Sequence, residues 1–235
     1  MTDPYSFNHE IDLLESLFEF IIPKYREAHD ILVSLLDFEP DRELRIVDLG
    51  CGFGDLTRRL VEAFPRAVVF GIDNHSDILE RARLKLKESL DQIVLYQRDL
   101  NNDAWSHEIQ QLHAVVSSFT LDYLSLDRHR RIIKEAYDLL EISGRWVSCE
   151  FYRSEDERVN RIFHDLEVSF IKTALKEGRV TREQIDQLGK SSILRQPHYI
   201  CTVEEKKAWL ENAGFKVEIP WRFLNLAIVS GIRTS

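Results

Sequence analysis

"LRIVDLGCGFGDLTRRL" occupies residues 44–60. Ile46, Val47 and Leu49 form a short apolar run, the form of a strand buried on both faces. Three glycines follow at alternating positions, Gly50, Gly52 and Gly54, and "DLTRRLVEAF" then reads as a helix. In an open α/β sheet, ligands sit beyond the C-terminal strand ends, near the point where strand order reverses. Glycine there permits a tight turn and close approach of a ligand to the backbone. A phosphate, a dinucleotide and a sulfonium nucleoside are the ligands to weigh.

The same alternation continues outward. "RAVVFGID" is a second strand and "SDILERARLKLKESL" a second helix. "QIVLYQRDL" is a third strand. "LHAVVSSFTLDYL" is a fourth, with "RHRRIIKEAYDLLEISG" the helix after it, and "RWVSCEFY" a fifth. Strands alternating with helices imply a parallel sheet covered on both faces. "RHRR" at 128–131 reads as a solvated helix start. Upstream, Ile11, Leu14, Phe18, Ile21 and Ile22 recur at helical spacing. Pro23 breaks that segment, and a second helix runs from about Tyr25 to Leu36.

Beyond the fifth strand the pattern changes. "SEDERVNRIFHDLEVSFIKTALKEG" is a long amphipathic helix, with a capping box of Ser154 and Glu157 at its start and Gly178 at its end. Thr181 with Gln184, and Thr202 with Glu205, make two further boxes. "FKVEIPW" and "LNLAIVSGIR" close the chain as an antiparallel hairpin. The reading is an N-terminal helical lid over 1–40 and one α/β domain over 41–235, with a helical insertion over about 154–210. The stripe Val159, Ile162, Phe163, Leu166 and Phe170 reads as core or as a lid face packed on the sheet. A homodimer face is its second use.

Composition narrows the partners. The 235 residues carry a formal net charge of −9, whereas a duplex-DNA or long-RNA binder presents a basic face. A nucleic-acid substrate is therefore disfavoured. No apolar stretch approaches the roughly 20 residues of a membrane span, and the acidic, polar first residues lack the form of a secretory signal. Cys51, Cys149 and Cys201 show no pairing pattern, which fits a reducing cytoplasm. His107 and His113 lack metal-ligand spacing, so no metal site is expected.

The glycine loop separates the three ligands. A phosphate-binding loop needs GxxxxGK followed by Ser or Thr, and no lysine is present. A dinucleotide fold wants GxGxxG, and the third glycine would fall on Asp55. An aspartate at that helix N-terminus repels a pyrophosphate. S-adenosyl-L-methionine (SAM) has no phosphate and carries a positive sulfonium, so nearby acids suit it. Asp73 ends the second strand and is placed to accept ribose hydroxyls. Asp99 ends the third, where a carboxylate accepts from the adenine amino group. Asp48 precedes the glycines. The remaining cofactor candidates are Cys51 within the loop, Asn74 and Leu100 beside the two acids, Phe119 and Thr120 after the fourth strand, and Tyr25 from the N-terminal lid.

The order Asp48-x-Gly50-x-Gly52-x-Gly54, then Asp73, then Asp99, resembles the class I SAM-dependent methyltransferases, over roughly 44–150 and 208–235. The resemblance implies a Rossmann-like, mostly parallel seven-stranded sheet with an antiparallel last strand and a helical insertion. "FGIDNHSDILERAR", "SSFTLDYL", Pro23 with Tyr25, and "WRFLNLAIVSGI" are similar to the carboxy-SAM synthase family. That likeness implies an alternative activity, the use of prephenate to make a carboxylated SAM for a tRNA wobble-uridine modification. The family holds the added carboxylate with an arginine, and that place falls here on Ser191. Serine cannot make a bidentate charged pair. Arg195 lies one helical turn away. Plain methyl transfer to a small molecule is therefore preferred, with the synthase second and a non-catalytic SAM-binding protein third.

Methyl transfer from a sulfonium is an in-line displacement, and the enzyme mainly aligns the nucleophile and excludes water. An oxygen or nitrogen nucleophile often needs a base. His164 and His198 are the candidate bases, because histidine titrates near neutrality. Glu150 is a candidate for orienting a substrate amine or hydroxyl. Tyr123, Tyr152, Tyr199, Trp221 and Arg222 are candidate substrate-binding residues.

Overall fold

The structure, a computed structural model, describes residues 4–234. In chain order it contains α1 (Pro4–Ile21), α2 (Tyr25–Ser34), β1 (Arg45–Leu49), α3 (Asp55–Ala63), β2 (Val68–Asp73), α4 (Ser76–Lys85) and β3 (Ile93–Gln97). Then come β4 (Leu112–Ser118), α5 (Leu126–Leu139), β5 (Leu140–Phe151), α6 (Glu157–Lys176), α7 (Arg182–Leu188), α8 (Val203–Ala213), β6 (Phe215–Phe223) and β7 (Leu226–Arg233). The chain forms two compact units. The larger is Ala28–Arg153 with His198–Ser235, and the smaller is Met1–Glu27 with Ser154–Pro197.

The larger unit is the expected α/β fold. One seven-stranded sheet has the order β3-β2-β1-β4-β5-β7-β6. β1 pairs in parallel with β2 and β4, while β7 lies antiparallel between β5 and β6. Side chains alternate across β1. Val47 and Leu49 enter the core on one face, with Ile132 and Ile133 of α5 and Leu210 of α8. Ile46 enters the other, with Leu56 and Leu60 of α3 and Leu32 of α2. Strand order reverses between β1 and β4, so a crevice opens at their C-terminal ends.

Local signals explain several boundaries. The boxes Thr181–Gln184 and Thr202–Glu205 form with both reciprocal hydrogen bonds. Gly178 ends α6 with φ +69°. Ser154 does not cap that helix. Asp156 is the N-cap, and its carboxylate accepts from the Arg158 N–H at 2.9 Å. The helix begins at Glu157, so that residue stands too early in the first turn to complete a box. Ser154 instead accepts from the Asp156 N–H at 3.1 Å.

In the smaller unit, α1 packs against α6 and α7. Ile11, Leu14 and Leu17 of α1 are buried, as are Ala174 of α6 and Leu188 of α7. The stripe along α6 is not core. Ile162 and Leu166 are 54% and 44% exposed, and Ala174 is the helix's buried residue. The "RHRR" segment differs from expectation in the opposite sense. Arg128 and His129 are 2% exposed each, because the first turn of α5 points them into the larger unit.

Candidate active site

The loop after β1 is held in a shape that glycine alone adopts without strain. Gly50, Gly52 and Gly54 have φ of +70°, +52° and +81°. A Cβ on Gly50 would collide with the Thr120 side chain, and one on Gly54 would come within 2.7 Å of Leu86. Around Gly52 the space is open, with no heavy atom of the described residues within 4 Å of such a Cβ. The loop is fastened from both neighbouring strands. The Cys51 N–H donates to the Ile72 carbonyl at 2.9 Å, and the Thr120 hydroxyl lies 3.2 Å from the Gly50 carbonyl oxygen. Cys51 itself is buried, and burial pushes its thiol well up. Its Sγ would lie 3.0 Å from a Cβ on Gly71 of β2, so a side chain there would crowd it.

The three predicted acids take different positions. Asp73 accepts from the Gly52 N–H at 3.1 Å and from the His75 N–H at 3.0 Å, so it braces the loop from the end of β2. A carboxylate has about four lone-pair sites, so acceptor capacity remains for a ligand's hydroxyls. Asp99 turns one oxygen to the Asn101 backbone and side-chain N–H groups, at 2.8 and 2.9 Å. Leu100 beside it is buried, while Asn74 is exposed. Asp48 is fully buried beneath α3, where the Thr57 hydroxyl donates to it at 2.7 Å. Burial raises its carboxyl to about 7, and its Oδ1 has no protein partner among the described residues. Asp48 thus supports the loop from below rather than lining the crevice.

The turn after β4 is the other wall. Phe119 sits at φ +55°, a conformation costly for a side chain with a Cβ. Its N–H donates to the Cys149 carbonyl at 2.9 Å, and its ring lies 5.7 Å from Phe151 and 6.0 Å from His29. Glu150, buried at the end of β5, holds the next residues. It accepts from the Thr120 N–H at 2.9 Å, the Leu121 N–H at 3.3 Å and the Ser117 hydroxyl at 3.0 Å. Burial, reinforced by Asp122, raises its carboxyl, while Lys206 opposes the shift. Lys206 of α8 is also fully buried, which lowers its ammonium. It meets the His129 ring and lies 4.9 Å from the Trp146 ring centroid.

Asp122 completes this cluster. It is 4% exposed, and its Oδ2 lies 2.6 Å from Nδ1 of His198. Its carbonyl accepts from the Tyr199 N–H at 2.6 Å. Tyr123 stands 4.4 Å, ring to ring, from His198, and burial raises its phenol. The backbone therefore brings together Thr120, Tyr123, Glu150 and His198 from the predicted set. Tyr152 is buried just past the end of β5, with its N–H on the Asn225 carbonyl.

Other candidates separate. Trp221 and Arg222 are consecutive on β6, so their side chains leave opposite faces of the sheet. Trp221 packs with the core beneath α3, whereas Arg222 pairs with Glu204 at 3.1 Å. Tyr25 opens α2, and His164 is exposed on α6. Tyr199 is also exposed.

Comparison with known proteins agrees with this fold. Residues 46–144 match the model of a methyltransferase domain. The match spans the glycine loop, Asp73, Asp99 and the turn after β4. SAM is the methyl donor of that domain, and the open space at Gly52 beside Asp73 suits it. The chain is similar to the carboxy-S-adenosyl-L-methionine synthase of Nautilia profundicola, 23% identical over 226 residues, covering 95% of this chain and 92% of that protein. It is 27% identical over 186 residues to the enzyme of that name from Trichodesmium erythraeum, covering 77% and 72%. Its fold matches an O-methyltransferase family protein from Burkholderia thailandensis, with a TM-score of 0.65 and 14% identity over 92% of this chain. The chain spans 59% of that protein's length. No described helix is long and apolar enough to cross a membrane.

Asp122, His129, Lys206 and Arg128 were absent from the predicted site. Arg128 donates to the Leu100 and Asn102 carbonyls at 2.5 and 3.1 Å and to Asp103 and Glu135. It ties down the loop that follows Asp99. Only the helical period of "DRHRRIIKEAYDLL" could have exposed it, since Arg128 shares a face with Ile132 and Glu135.

Proposed function

We propose that this chain transfers the methyl group of SAM to a small-molecule acceptor. The observation that carries the reading is the cradle after β1. Three glycines at positive φ leave open backbone beside Asp73, at the point where strand order reverses. In this reading Gly50, Cys51 and Gly52 lie along the donor, Asp73 takes its ribose hydroxyls, and Asp99 with Leu100 borders the adenine. Phe119 and Thr120 flank the transferred methyl group. The acceptor lies toward Tyr123 and His198. Among the candidate bases, both exposed, His198 is favoured because the buried Asp122 carboxylate orients it. Glu150 acts by holding the Thr120–Leu121 turn.

A second reading, synthesis of carboxy-SAM, is favoured by the relatives of that name, which match most of the chain. One contact weighs against it. Where that family's arginine would fall, Ser191 is buried and its hydroxyl lies 2.6 Å from the Glu10 carboxylate. A carboxylate, not a cation, is the charge at that position, and Arg195 nearby is exposed.

Mass spectrometry of the nucleoside released on denaturing the purified protein tests the choice. SAM or S-adenosylhomocysteine is the expected species. A species heavier than SAM by one carboxyl group transfers the assignment to the synthase. Neither compound, together with no heat of binding on titration with SAM, removes both.

A further inference from the structure

We infer that Asp122 and His198 form a base dyad, and that the acceptor presents a phenolic or enolic hydroxyl. This rests on the methyl-transfer reading and deepens it. Three observations point the same way. Asp122 Oδ2 is 2.6 Å from His198 Nδ1, a charge-assisted distance. Asp122 is almost fully buried and its Oδ1 has no protein partner among the described residues, an arrangement that costs stability unless it serves something else. The dyad stands two residues beyond Thr120, whose side chain packs over Gly50 at the crevice.

The chemistry follows from the orientation. A carboxylate on Nδ1 fixes the tautomer and stabilises the imidazolium, so proton uptake falls to Nε2. A hydroxyl oxygen attacks the donor's methyl carbon with a lone pair. The carbon–sulfur bond breaks, and its electrons return to sulfur as a neutral thioether. The hydroxyl proton passes to His198. The imidazole side chain is 34% exposed, so the proton can then leave to water. A thiolate, an electron-rich carbon or a carboxylate needs no such base. The Tyr123 ring, 4.4 Å from the imidazole, offers a flat wall to a planar acceptor. Asp122 and Tyr123 from the turn after β4 face His198, Glu150 on β5 lies near Asp122, and Lys206 on α8 lies near Glu150.

A purely structural clasp is the competing explanation, since Tyr199 is tied to Asp122 as well. Radiolabelled SAM and the full chain, incubated with a panel of phenols, catechols and enolisable oxo acids, and separately with iodide, distinguish the two. Iodide is a nucleophile with no proton to lose. The expected result is methyl transfer to at least one hydroxyl acceptor. His198→Asn then lowers kcat at least about 100-fold, the scale of general-base catalysis, and leaves the SAM Kd within twofold. Raising the pH toward the acceptor's own ionisation restores much of that loss. Asp122→Asn lowers kcat less and moves the acid limb of its pH profile to lower pH, because the imidazolium loses its anion. A clasp predicts parallel losses of melting temperature and SAM affinity with no change of profile. That pattern, unchanged kcat in His198→Asn, or transfer to iodide alone overturns the inference while leaving methyl transfer standing. Failure of the wild-type chain to bind SAM overturns the underlying reading instead.

Discussion

The loop after β1 and the turn after β4 are neighbours in the larger unit, but they are made in different ways. The first is local. Gly50, Gly52 and Gly54 lie within five residues, and Gly52 and Cys51 bond to Asp73 and Ile72 at the end of the adjacent strand. The second is assembled from afar. Asp122, Glu150, His198 and Lys206 come from four separate segments and meet only in the folded chain. The first is a shape cut for a ligand's backbone contact. The second is a set of charges, with Asp122, Glu150 and Lys206 buried and His198 partly exposed, where desolvation raises the Glu150 carboxyl and lowers the Lys206 ammonium. We read the first as serving the donor and the second the acceptor.

The strongest blow to the first region is Gly50→Val. It forces a β-branched residue to φ +70° and drives its side chain into Thr120. Calorimetric SAM affinity should fall more than about 100-fold, given strain of several kcal/mol. Retained affinity would mean that the donor does not touch this loop. Arg128→Met addresses the join between the regions, since Arg128 on α5 holds the loop after Asp99. Removing a buried arginine from two carbonyls and two carboxylates should cost about 3 kcal/mol, read as a lower midpoint in urea.

Asp48→Asn gives the smallest effect and sharpens the contrast. Burial holds the Asp48 carboxyl at about 7, well above its unfolded value, so the native state binds the extra proton. The stabilising effect of that proton is present below about pH 4 and is lost as pH rises toward 7. Asparagine has no such proton. The melting temperature of Asp48→Asn relative to wild type should therefore climb between pH 4 and 7. A flat difference would show that Asp48 is ionised in the folded protein.

The same contrast explains what was legible in the sequence. Strand–helix alternation and the closing hairpin gave the sheet, because each rests on periodicity within one segment. Asp73 and the glycines were readable because their spacing is short. His198 was readable only as a residue type. Its partner Asp122 lies 76 positions away, and nothing local marks the pairing. Arg128 and Lys206 were hidden for a related reason, since charged residues are ordinarily solvated and only tertiary contacts justify burying them. Along α6, apolar periodicity suggested burial that Ile162 and Leu166 do not have. Periodicity reports an amphipathic face without saying what covers it.

The most direct test is a calorimetric titration of SAM into wild type, Asp73→Asn and His198→Asn, side by side. The expected results are binding to wild type, a large loss in Asp73→Asn, and an affinity within twofold of wild type in His198→Asn. Equal losses in both variants would contradict the division into donor and acceptor regions, and absence of binding to wild type would contradict the methyl-donor site itself.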